Sequence, residues 1–273
     1  MGLRLLPWVV IPWVLASAVG AYVLRSEHVL QLMLEKNSLP ARLQVSQTVS
    51  VFDPEVDFMT ADYEEQVFLQ IPDQFRAEIV TEGFQRIQAA ASGRVLTILD
   101  GRVIAESAVW TDHYRELFAF RDRRRLAERL SALGINMPVS SLGRFEGKIC
   151  FVLGADYPDE TVPQIWVDKE TFLPLRWIVA PGAGDGGKKR EILFYDWQNH
   201  HRTWYPGRME FLEDQRPVKR IQVRQVALNP SFTKDFFDLD RLKGIYGAQI
   251  LEEEPGEGRD ISRQIEEFKK IYR

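Results

Sequence analysis

Short apolar runs cut by turn residues recur along most of this chain, and the stretch 145–179 shows the pattern best. Ile149-Cys150-Phe151-Val152-Leu153, Ile165-Trp166-Val167 and Leu173-Pro174-Leu175-Arg176-Trp177-Ile178-Val179 are separated by Gly154-Ala155-Asp156-Tyr157-Pro158-Asp159-Glu160 and by Lys169-Glu170-Thr171. β-Branched and aromatic residues fill the runs, and Gly, Pro and Asp fill the gaps. That predicts three consecutive antiparallel strands over 145–153, 164–168 and 172–179. The first is apolar on both faces from Ile149 to Leu153. Such a strand has to be covered on one side and to shelter something on the other.

The same signals predict strands over 41–52, 58–69, 75–81, 85–91 and 95–99, with Asp53-Pro54, Ile71-Pro72-Asp73, Glu82-Gly83 and Ser92-Gly93 as breaks. Asp100-Gly101 is a hairpin signal before a short resumption at Arg102-Val103-Ile104. Further strands are expected over 190–197, 209–212 and 219–228. In the last, Ile221 and Val223 keep one parity while Val226 and Leu228 keep the other, which predicts a bulge near Gln225. Helical spacing marks 27–37, through Val29, Leu30, Leu32, Met33 and Leu34, and 114–133, through Leu117, Phe118, Phe120, Leu126, Leu130 and Leu133. A closing segment over 232–246 contains a short helix and turns Phe236, Phe237, Leu239 and Leu242 inward.

The two ends differ from the middle. Residues 5–24 form an uncharged, mostly apolar run between Arg4 and Arg25. Its small-residue end, Ala16-Ser17-Ala18 and Val19-Gly20-Ala21, suits a signal-peptidase site, yet as a helix the run would span roughly 30 Å and cross a bilayer. Residues 1–26 are therefore a cleaved secretory signal or a retained membrane anchor, and either reading exports the rest of the chain. No cysteine lies there, which excludes a lipobox. Residues 247–273 combine an acidic, breaker-rich linker, Glu252-Glu253-Glu254-Pro255-Gly256-Glu257-Gly258, with a tail whose Ile261, Ile265, Phe268 and Ile271 or Tyr272 form one helical stripe. That stripe docks either on its own domain or on a partner.

A hydrophobic share of 45% with 27% charged residues is that of a globular chain with a substantial core, and a formal charge of −4 argues against a nucleic-acid partner. The single cysteine, Cys150, allows no intramolecular disulfide and no CxxC motif, and its strand position makes it a core residue. Gly182-Ala183-Gly184-Asp185-Gly186-Gly187-Lys188-Lys189 matches the spacing of a phosphate loop. It has Lys189 where Ser or Thr should hold magnesium, and it precedes a strand rather than a helix, so it reads as a hairpin loop. Asp196, His200 and His201 lack a distant third ligand for a metal and read as a polar turn; no HExxH or GxSxG is present. Asp156, Asp159 and Glu160 share a turn, not a glycosidase geometry. The Arg121-Asp122-Arg123-Arg124-Arg125 cluster reads as the solvated face of a helix. No catalytic residue, cofactor or metal is expected. What remains is a set of large aromatics in or beside strands, suited to a core or to a concave lipid pocket.

Several short motifs resemble the LolA-like periplasmic carriers of outer-membrane lipoproteins. They are Asp100-Gly101-Arg102, Gly147-Lys148 leading into Phe151 and Leu153, Ile165-Trp166-Val167-Asp168 with Leu173-Pro174-Leu175, and Tyr205-Pro206 before Met209 and Phe211. The run from Trp166 to Arg176 is the most specific of them. The resemblance spans residues 27–246. It implies a mainly β (α+β) fold, a curved, antiparallel, incomplete β-barrel with helices covering its mouth. It implies a hydrophobic cavity for acyl chains of lipoproteins or lipids, lined by Phe151, Trp166, Trp177, Phe194 and Phe211, with Phe118 on the 114–133 lid. The function implied is a non-enzymatic periplasmic carrier in outer-membrane lipoprotein sorting. A related scaffold implies the alternative, an envelope adaptor or stress-sensing regulator that binds an inner- or outer-membrane protein.

Overall fold

The computed structural model describes residues 23–53, 58–181 and 187–247. The export segment, the centre of the glycine-rich loop and the acidic linker with its tail lie outside the described residues. Among the described residues no helix is long and apolar enough to cross a membrane.

One antiparallel sheet dominates. Its strands are β1 (Arg42–Asp53), β2 (Phe58–Gln70), β3 (Gln74–Thr81), β4 (Phe84–Ala91), β5 (Arg94–Leu99), β6 (Arg102–Ala105), β7 (Ser140–Phe145), β8 (Lys148–Leu153), β9 (Gln164–Asp168), β10 (Pro174–Val179), β11 (Arg190–His200), β12 (Thr203–Glu213) and β13 (Arg216–Leu228). Their spatial order is β6-β5-β4-β3-β2-β1-β13-β12-β11-β10-β9-β8-β7, so the sheet is a meander joined through β1 and β13 and left open between β6 and β7. It curves without closing, an incomplete barrel. The helices are α1 (Ser26–Lys36), α2 (Glu116–Ala119), α3 (Arg123–Ala132) and α4 (Leu239–Gly247).

Side-chain alternation gives the sheet two different faces. On the inner face Leu43, Val45, Val67, Leu69, Phe75, Phe151, Val167, Trp177, Ile192, Met209 and Ile221 join one core with α1, α3 and the segment between β6 and α3. On the outer face Ile87, Ala89, Leu96 and Ile98 pack under Leu239 and Leu242 of α4, and Cys150, Val152, Trp166 and Leu175 form a separate cluster. Both faces of the apolar run in β8 are covered, apart from the half-exposed Ile149. The expected bulge is present: Ser46 pairs with Gln225 and Gln47 with Val223, leaving Arg224 as the extra residue that switches the parity.

Two expectations need correction. The first strand of the central meander does not begin at Phe145. Phe145 ends β7, Glu146 and Gly147 make the hairpin turn with φ of 47° and 81°, and β8 begins at Lys148. The left-handed turn suits Gly147, whose missing Cβ allows the conformation. Nor is 114–133 one helix. A 3-10 turn over Trp110–Arg115 runs into the single turn of α2, Phe120 is extended, and Asp122 accepts a hydrogen bond from Arg125 N to start α3. The apolar residues before Phe120 and after Asp122 join the same core from two separate turns of chain.

α1 is pinned at both ends. Ser26 Oγ donates to Val139 O and Ser140 Oγ to Leu24 O, while Asn37 exchanges hydrogen bonds of 2.9 Å with both backbone groups of Trp204. Arg121 adds bonds to Leu34 O and Asn37 O, satisfying carbonyls that the end of α1 leaves open. Burial pulls the Arg121 guanidinium down to about 10.

Candidate functional site

The inner face is lined as expected, but it is not empty. Residues 110–119 enter the hollow as a plug, with Trp110, Tyr114, Leu117 and Phe118 turned toward the sheet. The ring of Phe118 lies 4.8 Å from Tyr205 and 6.2 Å from Trp197, and Tyr114 and Trp110 lie 5.8 and 6.1 Å from Phe211. Phe118, Phe151, Trp177, Phe194 and Phe211 are each at most 2% exposed. A cavity wide enough for an acyl chain would leave accessible surface on those walls. The hollow is therefore filled by the protein's own chain, which corrects the expectation of an oily space kept open for a guest.

Of the six residues expected to line a cavity, Phe151, Trp177, Phe194 and Phe211 come from the sheet's inner face, and Phe118 belongs to the plug. Trp166 does not join them. Strand alternation sends Ile165 and Val167 inward and Trp166 outward, where it is fully buried beside Phe145, Tyr157 and Arg176. Gly143 makes room for it, since a Cβ there would stand 2.7 Å from the indole.

A charged cluster within the hollow was not expected. Glu65 on β2, Arg86 and Gln88 on β4, and Lys219 on β13 all take inner-face positions and are at most 2% exposed. They meet Asp112 of the plug. Gln88 Nε2 donates to Asp112 Oδ2, Arg86 Nη2 stands 3.6 Å from Oδ1, and Arg86 Nη1 stands 3.4 Å from Glu65. Gln47 Nε2 donates to Glu65 at 2.6 Å, and the Lys219 ammonium lies 5.2 Å from the Phe211 ring centre. Burial pushes the Asp112 carboxyl up, but Arg86, Lys219 and Arg115 together with the Gln88 bond pull it below its ordinary value. It is an anion inside the protein. The signal for this cluster was in the sequence, as charged residues in phase with apolar ones: Glu65 with Val67 and Leu69, Lys219 with Ile221.

Further along the plug, Glu116 takes Arg115 at 3.4 Å and Arg129 of α3 at 3.1 Å. His113 sits 6.1 Å from Trp177, and burial pulls its imidazole down to about 4, so it is neutral at pH 7. Thr111 Oγ1, His113 Nδ1 and Arg115 Nη1 on the plug, and Tyr205 OH and Trp177 Nε1 on the sheet, are buried atoms with no hydrogen-bond partner among the described residues. Each such atom costs about 1–3 kcal/mol.

Beside the plug a groove of about 490 Å³ opens between the C-terminal end of α1 and the β7–β8 and β9–β10 turns. Phe145, Leu173, Leu175, Phe194, Trp197 and Trp204 form its apolar walls, and Lys36, Lys148 and Glu146 its rim. Phe194 and Trp197 also contact the inner core, so the groove reaches the wall of the hollow. Its volume falls in the usual range of small-molecule sites.

The remaining candidates are placed as follows. Cys150 is buried on the outer face, and burial raises its thiol to about 11, so it is no nucleophile at neutral pH. His201 and Arg202 form the β11–β12 turn, with φ of 51° and 71°. Glu160 is tied to Arg176 and Lys189, both at 2.8 Å.

No protein-family model matches this chain, and no curated protein does. Its structure does have counterparts. A LolA superfamily protein from Nitrosomonas europaea superposes with a TM-score of 0.54 at 11% identity, covering 80% of this chain and 100% of that one. A putative outer membrane lipoprotein-sorting protein domain from Vibrio parahaemolyticus gives 0.53 at 10% identity, covering 80% and 97%. A DUF1329 family protein from Desulfovibrio piger ATCC 29098 gives 0.53 at 11%, with the same coverage. At such identities the likeness concerns the fold, and the fold is LolA-like.

Proposed function

We infer that this protein is a non-enzymatic periplasmic carrier that takes acyl chains of lipoproteins or lipids into the hollow of its sheet in exchange for the 110–119 plug. One observation carries the reading. An apolar inner wall is closed by a short, irregular segment instead of a regular helix, and three buried polar atoms of that segment have no hydrogen-bond partner among the described residues. α1 is pinned at both ends by hydrogen bonds. The plug is the part of the lid that can leave.

The exchange is close to balanced. Each methylene of a chain moved out of water contributes about 0.8 kcal/mol, so ten contribute about 8 kcal/mol. That offsets re-exposure of the plug's aromatics, while its unpartnered polar atoms gain water. The groove at Phe194 and Trp197 supplies the way in. The chain would then run over Phe194, Trp177, Phe151 and Phe211, where Phe118 and Tyr114 now lie.

The test combines mass spectrometry of organic extracts of the purified protein with hydrogen exchange in the presence of an acyl-chain probe. Co-purifying lipid, or probe binding with faster exchange at 110–119, is expected. A protein that is empty, ignores the probe and keeps 110–119 protected overturns the reading.

A second reading, an adaptor for a membrane protein, has one observation in its favour: the outer edges of β6 and β7 pair with no strand among the described residues, and sheet edges accept added strands. Pull-downs with a proline placed in β7 test it. Capture lost with lipid binding intact would favour the adaptor.

A further inference from the structure

We propose that the ligand of the hollow is an anionic amphiphile, a carboxylate or phosphate on an acyl chain, and that Asp112 holds the place of its head in the closed form. The inference rests on the carrier reading above and specifies what is carried. The head site is built by the sheet alone. Arg86 and Gln88 come from β4 and Lys219 from β13, each at most 2% exposed. All three act on one carboxylate: Gln88 by a hydrogen bond, Arg86 at 3.6 Å, Lys219 through its charge.

Asp112 belongs to the plug, not to the sheet. When residues 110–119 leave, an anion departs from beside two buried cations, and neither cation can follow it into water because both are anchored on central strands. Arg86 keeps Glu65 beside it, but taking one anion away from two buried cations is costly, and a neutral guest would not restore it. A carboxylate or phosphate would. The plug even has the outline of such a molecule: a carboxylate at Asp112, then the apolar run of Tyr114, Leu117 and Phe118 across Phe211 and Tyr205 toward the groove. Chain and head would follow the same track.

The full chain is titrated with pairs of probes that share one chain: hexadecanoate against hexadecanol, and a monoacylglycerol phosphate against the monoacylglycerol, with inorganic phosphate as the chainless control. The charged member of each pair is expected to bind about tenfold tighter or more, about 1.4 kcal/mol. Lys219→Met is expected to collapse that ratio, and so is the paired Glu65→Gln, Arg86→Met variant, which leaves no lone charge behind and guards against a folding failure. Asp112→Asn, which weakens the competing internal anion, is expected to tighten the charged probes and leave the neutral ones unchanged. Equal binding of charged and neutral probes overturns the head site while the carrier reading stands. Binding of neither overturns both. Inorganic phosphate binding as tightly as the phosphorylated amphiphile reduces the site to one for a free ion and overturns the proposal.

Discussion

Two arginines, both buried, on opposite faces of the same sheet, do different work. Arg176, on the outer face, is fastened between two carboxylates and two aromatic rings. It bonds Glu191 on the neighbouring strand and Glu160 at 2.8 Å, and its guanidinium lies 5.2 and 5.4 Å from the ring centres of Phe145 and Trp166. Arg86, on the inner face, shares its charge between Glu65 on the sheet and Asp112 on a segment that enters from outside it. The outer arrangement holds the sheet together; the inner one holds a plug in. Burial alone does not separate a structural ion pair from a functional one, but whether the partner belongs to a separable element does.

The sharpest break of that comparison removes Arg176. Arg176→Met leaves Glu160 and Glu191 with the partly exposed Lys189 in place of a buried guanidinium and strips the indole of Trp166 of its cover. A loss of about 3–5 kcal/mol is expected, read as a lower denaturant midpoint with an unchanged slope. The ratio of charged to neutral probe binding should stay as in the parent. A change in that ratio would show that the two faces are coupled and dissolve the contrast.

Acid separates the faces next. The His113 imidazole has its ordinary value of 6.5 lowered to about 4 by burial, with Asp112 and Glu116 opposing and Arg115 and Arg129 adding to the shift. Its folded form is neutral, and the unfolded or expelled plug takes the proton first. The stability it contributes is therefore complete above pH 6.5, declines down to pH 4 and changes no further below, to a total of up to about 3 kcal/mol. Glu160 behaves in a later window. The Arg176 hydrogen bond holds it at about 2 against an ordinary 4.5, with burial opposing and Lys189 assisting. Its contribution is kept above pH 4.5 and lost toward pH 2. Hydrogen exchange should thus report the plug loosening between pH 6.5 and 4 while β9 and β10 stay protected. His113→Phe should flatten that first window; a profile identical to the parent's would remove His113 from the account.

Most of the sheet could be read from the sequence because its signals are local. Turn dipeptides such as Asp100-Gly101 mark β1 to β6 within a residue or two, and the parity switch around Gln225 marks the bulge, but β7, which ends at Phe145, was not expected, and β12 begins at Thr203, well before Met209. Sidedness was harder. A strand such as β9, with Ile165, Trp166 and Val167 apolar in a row, does not say whether Ile165 or Trp166 looks inward, and that choice was settled by Arg176 and Gly143, residues of other strands. The plug was missed for a related reason. Leu117 and Phe118 share helical spacing with Leu126 and Leu130, so the sequence reads as one amphipathic helix, while in the structure the extended Phe120 ends α2 and Leu117 and Phe118 fill the hollow. The charged cluster left a legible trace, a Lys or Glu in phase with core residues, whose meaning depended on strands far apart in sequence.

The smallest expected effects come from the arginine cluster, and they show how uneven a single charge run can be. Arg124 is exposed and, among the described residues, reaches Glu128 at 3.7 Å. Arg124→Ser should therefore cost less than about 0.5 kcal/mol, since an open pair of that kind is screened and entropically weak. Arg121, three residues earlier, turns inward and holds the last carbonyls of α1 through Leu34 O and Asn37 O. Arg121→Met leaves those acceptors to water and should cost about 1.5–3 kcal/mol, the usual worth of a charged hydrogen bond. The loss should be local. Exchange should rise at the C-terminal turn of α1 and at the Asn37–Trp204 clamp, and the pinned lid should begin to move with the plug. If Arg121→Met instead proves as silent as Arg124→Ser, the clamp alone fixes α1, and the division of the lid into a fixed helix and a movable plug rests on Asn37 and Ser26.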